Sequence, residues 1–174
     1  MPEILAGEFL SMASRLIKVQ FKRRAKRKTD YEARERMLMG NVPRLIIRRT
    51  NRYIIAQIAE SKAAQDKVMS HTLSKEIIKY GYPEKYSMKN LAAAYLTGFL
   101  AASKIGKKVK KGILDLGMHK STKGNRLYAA LKGAIDGGMD IPHSEKMLPT
   151  MEMIKEKSEI DLEKIKSAIK EKFA

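Results

Sequence analysis

Residues 42–60 read "VPRLIIRRTNRYIIAQIAE", and the fold follows from how that stretch divides. Two β-branched runs, 45–49 and 53–59, flank a short polar segment in which Asn51 suits a tight turn. That is the pattern of a β-hairpin. In the second run Ile54, Ala56 and Ile58 alternate with Tyr53, Ile55 and Gln57, so the strand has one core face and one half-polar face. After a polar turn, "DKVMSHTLS" (66–74) reads as a third, shorter strand. Three strands with short connections make an antiparallel meander.

The period then changes. "SMKNLAAAYLTGFLAASKIGKK" (87–108) carries Leu91, Ala94, Tyr95, Gly98, Phe99, Ala102 and Ile105 at helical spacing. Ser87 is the expected N-cap, and lysines at the far end suit the helix dipole. "KGILDLG" (111–117) is a short apolar strand, followed by the loop "MHKSTKGNR" and a second helix, "LYAALKGAIDGG" (127–138), stopped by its paired glycines. The order is β-β-β-α-β-α, an α/β fold with a mixed sheet. The fourth strand should run parallel to one of the first three through a right-handed crossover. Residues 150–173 read as one solvent-exposed helix with Met151, Ile154, Leu162, Ile165, Ile169 and Phe173 on a stripe. Its stripe is either part of a solvated appendage or a docking face for a neighbouring protein.

This topology is that of ribonuclease-H-like folds, whose enzymes need carboxylates on the first strand and nearby to hold two metal ions. Here the first strand, "RLIIRRT", has arginines and no acid. Asp115 is the one acid on a strand that could serve, and alone it cannot hold a metal pair; it reads as turn or cap chemistry. His71, His119 and His143 lack metal-ligand spacing, and the absence of cysteine removes thiolate sites and a thiol nucleophile. No catalytic residue, metal or cofactor is expected, and no small-molecule substrate.

Charge points to the partner. The 174 residues carry a net charge of +17 with 44% hydrophobic residues, a basic chain able to build a core. So much positive charge implies a polyanion. No run of about 18 apolar residues exists to span a membrane, and the N-terminus opens with acids where a signal peptide would be basic.

The charge is concentrated in places. In the arm, "KRRAKRK" (22–28) is too dense in one sign to stabilise itself, since Lys22/Lys26, Arg23/Arg27 and Arg24/Lys28 repel at i,i+4. It is expected to order when phosphates neutralise it, with Thr29 or Asp30 capping a short helix that has Glu32 in its first turn. Arg48, Arg49 and Arg52 cluster with Asn51 and Tyr53 at the hairpin tip: forks for phosphate and a ring for an unpaired base, or simply a charged turn. "HKSTKGNR" (119–126) places hydroxyls, lysines and a glycine before a helix, which suits a phosphate-binding loop, though its glycine spacing is not that of a nucleotide-hydrolysing loop. A nucleic-acid-compacting protein, a nuclease and an anionic-membrane binder are the competing classes. The missing carboxylates oppose the nuclease, and the arm lacks the apolar face an interfacial helix needs.

Four segments carry a family resemblance: "FKRRAKRKTDYEAR" (21–34), "PRLIIRRTNRYIIAQI" (43–58), "NLAAAYLTGFLA" (90–101) and "GILDLGMHKSTKGNRLYAALKGAIDGGMDIPHS" (112–144). Together they resemble the 5S-rRNA-binding proteins of the large ribosomal subunit, the universal L-eighteen family, in its archaeal form. The resemblance implies a ribonuclease-H-like fold of the translational-machinery type and a structural role, holding 5S rRNA to the large-subunit rRNA in the central protuberance. The cytoplasmic ribosome would be its location, and neighbouring large-subunit ribosomal proteins its protein partners. A general basic nucleic-acid-binding protein outside the ribosome is the alternative. Carried over residue by residue, RNA contacts would fall on Lys22, Arg23, Arg24, Lys26, Arg27, Lys28 and Tyr31 of the arm. They would continue on Arg48, Arg49, Asn51, Arg52 and Tyr53 of the hairpin and on His119, Lys120, Thr122, Lys123, Asn125 and Arg126 of the loop. The expected division is an N-terminal extension and arm (1–40), a globular α/β domain (41–143) and a C-terminal helical tail (144–174). Family sequences usually begin near Met12, so residues 1–11 read as an extension or an upstream start.

Overall fold

Thr50 closes the hairpin. Its hydroxyl accepts from the Tyr53 N–H at 2.9 Å and its own N–H donates to the Tyr53 carbonyl at 2.9 Å. Strands β1 (Arg44–Arg49) and β2 (Ile54–Lys62) therefore pair antiparallel, with Arg49 opposite Ile54. The computed structural model describes residues 20–62, 65–156 and 160–173, so the expectations for residues 1–19 lie outside it. Strand β3 (Gln65–Leu73) pairs antiparallel with β2 around a bulge at Ile58/Ala59, completing the meander. Strand β4 (Ile113–Asp115) lies parallel to β1, and the four-stranded mixed sheet has the order β3-β2-β1-β4.

Leu45, Ile47, Ile54, Ala56 and Ile58 are fully buried, as the alternation in the sequence requires. Among the described helices, α1 (Lys22–Ala25) and α2 (Tyr31–Met39) form the arm, and α3 (Leu91–Ile105) and α4 (Arg126–Asp136) pack on the core face of the sheet. Helices α3 and α4 cross with almost no side chain between them. A Cβ at Gly98 would lie 1.9 Å from the Ala130 carbonyl oxygen, and one at Gly133 would lie 1.9 Å from that of Tyr95. Glycine at both points lets the backbones touch.

Three expectations are corrected. The N-cap of α3 is Asn90, not Ser87: its side-chain oxygen accepts from the Ala93 N–H at 2.7 Å and is itself held by the buried Tyr82 hydroxyl at 3.0 Å. Ser87 serves the preceding turn, accepting from the Lys89 N–H. A 3₁₀ segment, Ser74–Tyr80, follows β3 where no element was expected, with Glu76 accepting from the Leu73 N–H and pairing with Lys104 at 2.5 Å. Among the described residues of 150–173 there are two helices rather than one, α5 (Met151–Glu156) and α6 (Leu162–Phe173), with Ile160 and Asp161 outside both. Their stripe is not solvent-exposed. Ile154, Leu162, Ile165 and Ile169 are buried against this chain's own core, because the sheet and α4 leave part of α3 uncovered. Lys166 and Lys170 then lie over the Tyr95 and Phe99 rings of α3, 5.0 and 6.0 Å from their centres.

Candidate nucleic-acid interface

The arm folds back on itself. After α1, Arg27 takes the left-handed conformation at φ +49°, and the Lys28 N–H reaches the Arg23 carbonyl at 2.8 Å while the Arg27 N–H reaches that of Arg24 at 2.9 Å. That pair of bonds ends many helices, usually with glycine where Arg27 stands. The turn brings the Phe21 and Tyr31 rings to 5.2 Å, and Asp30 caps α2 by accepting from the Ala33 N–H at 3.1 Å. Arg23 donates to Thr29 at 2.9 Å, and Arg24 sits 3.4 Å from Glu32. Tyr31, Arg23 and Arg24 thus shape the arm. Lys22, Lys26, Arg27 and Lys28 are exposed and have no acid partner among the described residues.

At the hairpin the arginines divide. Arg49, Asn51 and Arg52 are exposed, with Tyr53 half-buried beside them. Arg48 turns inward, donating to the Asp115 carboxylate at 2.7 Å, the Asp115 carbonyl at 2.6 Å and the Ile47 carbonyl at 2.9 Å. Asp115 has the expected turn role, accepting from the Gly117 N–H at 2.9 Å, and is an ion-pair centre besides.

The loop is built by Asn125. Its oxygen accepts from the Leu127 and Tyr128 N–H groups at 2.7 and 3.1 Å, and its amide donates to the Lys120 carbonyl and the Thr122 hydroxyl. Two of the first N–H groups of α4, those of Leu127 and Tyr128, are therefore satisfied within the chain. Any anion held here depends on Lys120, Lys123 and Arg126 rather than on the bare helix end. The half-buried His119 accepts from the Arg49 N–H through Nε2 at 3.4 Å, which joins loop to hairpin. Burial, then the charges of Arg48 and Arg49, hold its pKa below the usual imidazole value, which favours the neutral ring that accepts at Nε2.

Met118, 54% exposed, is where the three regions meet. On one side it borders a hollow of about 350 Å³ with Arg49, His119, Lys120, Thr122 and Arg126. On the other it borders a second hollow with Arg24, Arg27 and Glu32 of the arm. Arm, hairpin and loop, separated by up to about a hundred residues in the chain, form one basic surface. Among the described residues no group of three His, Asp or Glu could hold a metal ion, and no helix is long and apolar enough to cross a membrane.

A family model described as ribosomal large subunit proteins 60S L5 and 50S L18 matches residues 15–112 and 106–144. The chain belongs to this family. Large ribosomal subunit protein uL18 of Korarchaeum cryptofilum is 52% identical over 139 residues, 79% of this chain and 70% of that protein. The protein of the same name from Methanoregula boonei is 43% identical over 79% of this chain and 78% of its own length, and that from Methanospirillum hungatei is 44% identical over the same shares. As an archaeal-type member, the chain is a protein of the large ribosomal subunit, a structural component and not an enzyme. All three basic regions lie within the matched residues, while α5 and α6 lie beyond them.

The reading of the sequence missed Arg34, Arg44 and Asp66, which join Arg48 and Asp115 in a chain of ion pairs. One signal was available. Arg44, Ile46 and Arg48 alternate with Leu45 and Ile47, so the charged pair shares the face away from the core. Asp66 left no such signal, because its partners come from two other elements.

Proposed function

We propose that this protein binds 5S rRNA and attaches it to the large-subunit rRNA in the central protuberance of the ribosome in the cytoplasm, beside other large-subunit proteins. The observation that carries this reading is the convergence of arm, hairpin and loop around Met118. Lysines and arginines that have no acid partner among the described residues supply phosphate contacts, which give affinity and orientation. Tyr53, His119 and Thr122, at fixed places between them, supply the stacking and hydrogen-bonding groups that unpaired RNA needs. The sheet order, with β4 parallel to β1, supports a ribonuclease-H-like arrangement of the translational-machinery type. Asp115 is occupied by arginines, so this version of the fold is equipped to hold RNA rather than to cut it.

The test is a gel-shift competition of 5S rRNA against duplex DNA of equal length, repeated from 50 to 200 mM salt. 5S rRNA should displace the labelled RNA at far lower concentration, and affinity should fall by roughly a thousandfold over that range if about six or more phosphates are neutralised. Equal competition by the duplex, or a flat salt response, would refute the reading.

A further inference from the structure

Two carboxylates, Asp66 and Asp115, tie arginines of the arm and sheet together, where a simple electrostatic attraction for RNA would need neither. Asp66 on β3 accepts from Arg34 of α2 at 2.8 Å, from Arg44 of β1 at 2.8 Å and from the Ser61 hydroxyl at 2.7 Å. Asp115 on β4 accepts from the other amino group of Arg44 at 3.0 Å, from Arg48 at 2.7 Å and from the Gly117 N–H at 2.9 Å. The ion pairs run Arg34–Asp66–Arg44–Asp115–Arg48, from the arm helix across the sheet to the base of the loop. Arg44, the middle link, is 1% exposed, whereas Arg34 and Arg48 at the ends are each 35% exposed.

We propose that Asp66 and Asp115 are positioning residues of the RNA-binding surface, which through buried Arg44 fix the arm helix and Arg48 relative to the loop. This rests on the RNA-binding reading above. A folded core does not require the chain: apolar side chains of similar volume can replace a buried arginine–carboxylate cluster without loss of stability. What the cluster supplies is geometry. A guanidinium shared by two carboxylates has one allowed orientation, and losing either acid leaves a buried charge half-paired, so both ends of the chain respond together. Gly117 is held in the same way. Its Cβ position lies 2.9 Å from the Arg48 guanidinium carbon, so the loop backbone packs directly on the last link.

The field effect and the positioning effect have opposite signs, which makes the test decisive. Asp66→Asn raises the net charge from +17 by one. If the acids act only through their field, the variant binds every RNA more tightly. If they position the arm, the variant loses about tenfold in preference for 5S rRNA over an unrelated RNA of equal length. Its plot of log affinity against log salt also becomes shallower by about one phosphate contact or more. Arg34→Met, at the exposed end of the chain, should lose the same preference without disturbing Arg44. Arg34→Lys, which keeps the charge and can still reach Asp66, should retain most of it. Filter binding of the full-length protein to both RNAs reads all of these values, with thermal melting run beside it. Loss of preference in Asp66→Asn and Arg34→Met with recovery in Arg34→Lys supports the proposal. A wild-type preference that both variants keep overturns it and leaves the RNA-binding reading standing. A wild type with no preference for 5S rRNA overturns both.

Discussion

Replacing Gly133 by alanine tests the account of how α4, and the loop it carries, is held. On a helix free of neighbours this change stabilises by about 1 kcal/mol, because alanine restricts the unfolded chain. Here the added carbon would lie 1.9 Å from the Tyr95 carbonyl oxygen and 3.0 Å from the Phe99 nitrogen, both backbone atoms that no rotamer change can move. Separation to an ordinary contact of a little over 3 Å requires α3 and α4 to part by roughly 1 Å along much of their crossing, which forfeits a large share of the dispersion contact there. Overpacking of this kind costs about 3 kcal/mol or more, so the net loss after the propensity gain is about 2 kcal/mol at least. For a protein of this size that lowers the melting temperature by about 4–8 °C. Gly40→Ala is the control, since its Cβ would meet only the Ile113 and Val42 side chains at 3.7 and 3.8 Å; it should melt within a degree or two of the wild type or slightly above it. Urea and thermal denaturation of the two variants decide the matter. Gly133→Ala melting at or above the wild type would refute the backbone crossing.

Two further expectations concern the tail and the ion pairs. Ile169→Ala should destabilise by about 2–5 kcal/mol in urea, since Ile169 is fully buried; an unchanged midpoint would mean that α6 does not cover α3. At Asp66 burial works to raise the carboxyl pKa, but hydrogen bonds from Arg34, Ser61 and Arg44 and the charge of Arg44 outweigh it and hold the value at about 2, below the ordinary 3.8. A pKa lower in the folded state means stability that is complete above about pH 5 and is lost as pH falls toward 2, about 2 kcal/mol from this group. The stability gap between the wild type and Asp66→Asn should therefore shrink between pH 5 and pH 2, and a gap independent of pH in chemical denaturation would refute the assignment.

Much of the sheet was legible in the chain because its signals are local. The alternation of Ile54, Ala56 and Ile58, the turn at Asn51 and the apolar run of α3 each describe a face or a bend that forms in place. Boundaries were less secure: Ser87 was expected to cap α3, and Asn90 does. Ser87 and Asn90 both suit a helix start, and the Tyr82 hydroxyl, brought in by the fold, favours Asn90. The stripe of α5 and α6 was visible, but its partner was not, since an amphipathic pattern records that a face is covered and not by what.

The sequence by itself determined that this is a basic α/β protein with three concentrations of positive charge and no set of carboxylates for metal-dependent cleavage. Periodicity, composition and spacing are properties of neighbouring residues, and they survive without tertiary structure. Only the tertiary structure decided which charges are available to an anion. It folded Arg48 inward onto Asp115, used Asn125 to cap α4, and left Arg49, Lys120 and Lys123 exposed. It also brought arm, hairpin and loop together at Met118. The reason is distance: an ion pair such as Arg44–Asp115 joins residues 71 apart in the chain, and nothing in either segment alone encodes the contact.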